Sequence, residues 1–276
     1  MSRDTASSLD LRPAALPAAA LALVIGVAAA SVLAAEPARL TNFGLRLLPP
    51  GAAHPFGTDA LGRDLLARTL AGLGTSLRVG LVAAGLSTAL AIVMALASGI
   101  GRRADAAVCF LVDAFLGLPH LVLLILVSFA LGGGTSAVIV AVAVTHWPRL
   151  TRVLRAELLQ IREAEFVTLS LGFGRSKGFV LLHHVLPHLV PQALVGFVLL
   201  FPHAILHEAG LTFLGFGLEP SRPAIGILLS DAMRTLAAGR WWLAVFPGLA
   251  LLALVLAFDT LGNGLRRLLD PRGEPA

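Results

Sequence analysis

EFVTLSLGFGRSKGFVLLHHVLP, Glu165 to Pro187, is a basic, glycine-punctuated interruption in a chain that is otherwise close to pure hydrocarbon. Arg175, Lys177, His183 and His184 fall inside it, with Gly172, Gly174 and Gly178 between them. Phe166, Leu169 and Phe173 recur at i, i+3 and i+7, which predicts a short helix over Glu163–Arg175 with one apolar stripe. Gly174 suits its left-handed C-terminal cap, a position where a side chain costs energy. A second short helix over Lys177–Val185 then runs into Pro187, placed for the first turn of a following helix. Two short helices meeting at a glycine form either an interfacial loop or a knob offered to a soluble partner.

The surroundings decide where this segment sits. Of 276 residues, 57% are hydrophobic and 13% charged, with mean hydropathy +0.87. A water-soluble domain carries about a quarter charged residues, so this chain has too little polar surface to cover a globule. It reads as an all-α integral membrane protein. The net charge of +5 does not point to nucleic acid, because the cations lie in the gaps between apolar runs rather than in one aromatic-flanked patch. Cys109 is the single cysteine, so no intrachain disulfide forms.

At about 20 residues per crossing, the apolar runs predict spans over Pro13–Ala35, Leu77–Ile100, Ala106–Leu131, Ser136–Leu159, Leu186–Thr212 and Leu243–Leu261. The first run is too long for the apolar core of a cleaved signal peptide and reads as a retained anchor. The chain then divides into a tail (1–12), a first span (13–35), an outer loop (36–76), a five-helix core (77–265) holding the loop 163–186, and a second tail (266–276). With the N-terminus inside, thirteen of the 21 Lys and Arg residues fall on the inner side and eight on the outer. That bias predicts both termini in the cytoplasm, and puts the opening segment there too.

Three blocks in this frame resemble one family. Gly174 and Val185-Leu186-Pro187 match the cytoplasmic coupling loop of ABC importer permeases. The acidic and alanine positions of that pattern fall on Thr168, Leu169 and Ser170, with Glu165 three residues earlier. His54-Pro55-Phe56-Gly57-Thr58-Asp59-Ala60-Leu61-Gly62-Arg63-Asp64, continuing to Arg68, Gly72 and Ser76, resembles the signature after the first span of peptide- and nickel-type permeases. Glu208-Ala209-Gly210-Leu211-Thr212-Phe213-Leu214-Gly215-Phe216-Gly217 resembles the block after span five, and Leu269-Asp270-Pro271 the end of the chain. The resemblance implies a type I ABC importer permease fold in the bacterial inner membrane. It assigns Glu165, Thr168, Ser170, Gly174, Arg175 and Pro187 to coupling with an ATPase. Gly57, Thr58, Asp59, Gly62, Arg63 and Asp64 become the extracytoplasmic signature.

The same resemblance implies the partners: a second, homologous permease subunit, two cytoplasmic ATPase subunits and an extracytoplasmic solute-binding protein, with no nucleic acid. No cofactor is expected in this chain; ATP and magnesium belong to the ATPases. A phosphate-binding loop needs G-x-x-x-x-G-K-[ST] after a strand, and Gly172-Phe173-Gly174-Arg175-Ser176-Lys177 has the wrong spacing. The chain is expected not to be an enzyme.

Span five addresses the solute. His203 and His207 lie about 40° apart on one helical face, a turn from each other, and imidazoles so placed suit a borderline transition metal. Glu208 points about 140° from His203, which makes it a poor third ligand. A histidine at the position of His207, with another a turn earlier, resembles the nickel-importer branch. Nickel or another divalent metal, free or chelated, is therefore the expected solute, with di- or oligopeptides as the alternative. His120, after Pro119, reads as a helix-packing residue with lining of the path as the alternative, and His146 as an interfacial anchor beside Trp147. The charged loop Leu218–Arg240 suits docking of a binding protein. Two rival classes remain. A channel would conduct without ATP, and an intramembrane metalloprotease would need a second His in H-E-x-x-H, which His207-Glu208-Ala209-Gly210-Leu211 lacks.

Overall fold

The computed structural model describes residues 12–269; the tails, with Arg3, Asp270, Pro271 and Arg272, lie outside the described residues. It is a helical bundle. The helices are α1 (Arg12–Leu33), α2 (Leu65–Ser98), α3 (Arg102–Leu116), α4 (His120–Ala130), α5 (Gly134–Arg162), α6 (Glu165–Gly172), α7 (Lys177–Val180), α8 (Leu186–Phe213), α9 (Ile225–Leu236) and α10 (Trp242–Leu269). Five of them are long and apolar enough to span a bilayer, and α3 and α4 together make a sixth crossing if counted as one broken span. The expected six-span frame is present.

Two spans depart from the sequence reading. The second begins at Leu65, not Leu77, so the last twelve residues assigned to the outer loop are helix. At 1.5 Å per residue its 34 residues reach about 51 Å, well beyond a hydrocarbon core of about 30 Å. Arg68 made the first three turns look like loop, yet they are buried in protein rather than lipid. Asp64 starts the helix: its Oδ1 accepts the Ala67 N–H at 2.8 Å, as an N-cap aspartate should. The third span, expected as one helix over Ala106–Leu131, is broken between Leu116 and His120 with a 95° bend. Pro119 keeps the preceding residue out of the helical region, and α4 restarts at His120.

Small residues set the packing. Ala83, Ala84, Ser87, Ala91 and Ala95 are fully buried along α2, where α5 lies closest. Membrane helices lack a hydrophobic drive to associate, so close backbone approach through such residues supplies the contact. The main core combines Val138, Ala141 and Val142 of α5 with Ala204 and Ile205 of α8 and Leu251 and Leu254 of α10. An expected loop, Leu218–Arg240, contains an unpredicted amphipathic helix, α9, whose Ile225, Leu228 and Ala232 are buried while Met233 and Leu236 are exposed.

Candidate functional site

The glycine-punctuated segment forms a helical elbow. α5 ends at Arg162, and α6 follows after a two-residue turn. Gly174 has φ +79°; its N–H donates to Leu171 O at 3.0 Å and that of Arg175 to Ser170 O at 3.2 Å. Those two bonds are the glycine-capped helix ending expected from the sequence. Ser176 Oγ then accepts the Phe179 N–H at 3.2 Å to start α7. The second short helix is not separate: α7 passes through a wide turn, Leu181–Val185, straight into α8, with Pro187 in its first turn.

Val167, Val180, Leu181 and Val185 of the elbow pack with Leu158 and Ile161 of α5, Leu189 of α8 and Leu96 of α2. Ser170 Oγ sits 3.1 Å from His184 Nε2, and Phe166 stacks on His188. Arg175 lies over the Phe179 ring, 4.7 Å from its centroid. Glu165 and Thr168 are exposed. So is the apolar stripe, with Leu169 59% and Phe173 84% accessible.

Midway along the bundle a cavity of about 440 Å³ opens beside the α3–α4 break. α5 and α8 supply its other walls, through Thr145, His146, Arg149, Leu150, Leu199, His203 and His207. Four histidines therefore line it, counting His120. His120, His146 and His207 come together from three helices, with ring centroids 4.6, 4.8 and 5.0 Å apart. His203 is exposed on the cavity wall, one turn toward the elbow. His146 is buried, and its Nδ1 lies 2.9 Å from Val142 O. A carbonyl only accepts, so Nδ1 carries the proton and Nε2 is left with its bare lone pair. Nε2 has no hydrogen-bond partner among the described residues.

Glu208 does not join this group. It is fully buried against α2, where Ser76 Oγ donates to Oε2 at 2.5 Å and Thr212 Oγ1 to Oε1 at 3.0 Å. Thr212 in turn accepts the Leu218 N–H at 3.1 Å. The side chain is a clamp between α2, α8 and the following turn.

The segment before α2, Gly57–Asp64, is likewise a folded staple. Asp59 accepts the N–H groups of Leu61 and Arg63 at 2.8 and 3.0 Å, pairs with Arg63 Nε at 2.7 Å, and bonds buried Arg68. Burial alone would raise its carboxyl, but the Arg63 backbone N–H, the Arg68 charge and the remaining bonds outweigh it and hold the group below its ordinary value. Thr58 Oγ1 accepts the Leu48 N–H and donates to Leu45 O, and His54 Nδ1 sits 2.7 Å from Asp64 Oδ2. Gly57 and Gly62 have positive φ, and a Cβ on Gly62 would overlap Asn42 O.

Residues 87–274 match the family described as "binding-protein-dependent transport system inner membrane component". The chain belongs to that family. The permease is 38% identical over 232 residues to a Brucella suis protein named as a peptide transport system permease, covering 84% of this chain and 78% of the relative. A second B. suis protein, named as a peptide permease, is 40% identical over 227 residues, 82% and 75% of the two chains. The dipeptide transport system permease protein DppC of Bacillus subtilis is 35% identical over 226 residues, 82% and 71%. The fold is that of a permease subunit of an ABC importer, a transport component of the inner membrane whose family works with a binding protein and ATPase subunits.

Sequence reasoning missed His120 and His146 as partners of His207. Both were visible as polar residues in apolar spans, which by default face a cavity or a partner. The Pro119 break, which turns the start of α4 toward α5 and α8, was the signal that could have joined them.

Proposed function

We propose that the permease carries peptides into the cell as one half of a heterodimer with a second, homologous permease. The observation that carries this reading is the similarity, over more than four fifths of the chain, to permeases named for peptide and dipeptide transport. A second solute class, a divalent metal such as nickel, free or chelated, is favoured by the imidazoles gathered in the cavity.

In this proposal the elbow is the coupling element. Its exposed Phe173 and Leu169 would seat in a partner ATPase, which binds ATP and magnesium, and the buried cluster behind them carries the displacement to α2, α5 and α8. Both termini lie in the cytoplasm, and the α9 end faces the solute-binding protein. The test is uptake into proteoliposomes holding the complete transporter, with radiolabelled di- and oligopeptides in one arm and nickel-63 in the other. ATP-dependent peptide accumulation is the expected result. Peptide flux that persists without ATP would make the protein a channel, and nickel uptake without peptide uptake would replace the solute.

A further inference from the structure

Three of the cavity's four imidazoles have a geometry that peptide recognition does not require. We propose that His120, His146 and His207 form a binding site for one borderline divalent transition-metal ion, of the nickel, cobalt, zinc and copper class. One ligand atom from each residue can be chosen so that all three lie within 4.8 Å of one another. Nitrogens around a tetrahedral ion at 2.0–2.1 Å sit about 3.3 Å apart, a closure within reach of small side-chain rotations. Two of the three residues, His120 and His207, are only half-buried and border the open cavity, so an ion can reach them and keep free coordination positions facing it.

His146 carries the argument furthest. It is 9% exposed, its Nε2 has no partner among the described residues, and its Nδ1–H is engaged by Val142 O. A metal-binding histidine has this arrangement: the far ring nitrogen donates to a carbonyl, which fixes the tautomer and turns the other lone pair on the metal. Thr145 Oγ1, 3.1 Å from the same Nδ1, buttresses the ring. Imidazole ligands without thiolate or carboxylate suit zinc, copper, nickel and cobalt over magnesium or calcium. Glu208 is engaged elsewhere, so the protein offers three neutral donors.

The inference does not rest on the peptide reading: peptides can be carried with or without an ion in the site, and binding is measured apart from transport. The experiment uses the full-length permease purified in detergent without a polyhistidine tag, titrated separately with cobalt, nickel and zinc chlorides. The expected result is one ion per chain and a visible cobalt spectrum of a nitrogen-ligated, low-coordinate site. Binding should weaken at least about tenfold in His146→Ala and in His207→Ala, since even second-shell changes cost about 10–100-fold. A variant with His183, His184 and His188 all changed to Ala removes the elbow histidines and should keep the ion. The half-exposed His120→Ala provides the same readout if the buried substitution fails to fold. No ion beyond that lost with the elbow histidines, or undiminished affinity in His120→Ala and His207→Ala, overturns the proposal.

Discussion

Gly174→Val separates the elbow's geometry from its packing. Gly174 holds φ +79°, and a Cβ built there meets nothing within 4 Å, so the penalty of a side chain is conformational and not steric. Left-handed backbone costs about 1–2 kcal/mol for an ordinary residue, and more for a β-branched one. A change of that size shifts a local equilibrium about 5–30-fold, toward a state that breaks the paired N–H bonds of Gly174 and Arg175. Asn tolerates the left-handed region far better, so Gly174→Asn should stay near wild type, Gly174→Ala should fall between, and Gly174→Val should be worst. The assay is solute-stimulated ATP hydrolysis and uptake by the complete transporter in liposomes, read as solute moved per ATP. The buried elbow cluster of Val167, Val180, Leu181 and Val185 keeps the protein assembled, so the loss should appear in the ratio and not in expression. A Val variant with unchanged coupling, or an Asn variant as poor as Val, would refute the reasoning.

Asp59→Asn should destabilise the segment before α2 by about 3–5 kcal/mol, the cost of leaving a buried cation without its partner, and show as a lower melting temperature in detergent. Because the folded carboxyl lies below its ordinary value of 3.8, the wild-type contribution is fully present above that pH. It is lost as pH falls through the depressed folded value, so thermal stability measured in the Asn variant should no longer respond to this group. Glu208→Ala should lower stability by about 1–3 kcal/mol through the unsatisfied hydroxyls of Ser76 and Thr212 while leaving the cobalt spectrum of the folded fraction unchanged. A spectrum altered by that substitution would return Glu208 to the histidine cavity.

The number of crossings and the capped elbow were legible because they are local. Span length, a glycine placed for the left-handed region and a proline at a first turn need no knowledge of distant residues. What escaped the sequence depended on tertiary partners. Leu65–Ser76 falls outside the apolar run because a cation such as Arg68 is costly in lipid, and Asp59, nine residues earlier, makes its burial tolerable. Helix phase puts His203 and His207 on one face, and both line the cavity, yet phase along one helix says nothing about which neighbours face it. His207 meets His120 and His146 because α4 and α5 are turned toward α8, a rotation that no single apolar pattern encodes.

The elbow is continuous with the two helices that carry His146 and His207, whereas His120 stands beyond the right-angled break after α3. Under the coupling role proposed for the elbow, a displacement there would travel along α5 and α8 as along two spokes, carrying two corners of the imidazole triangle with it. The third corner is hinged separately. In that proposal the triangle would widen or narrow with the lever, a mechanical grip on whatever sits between the rings.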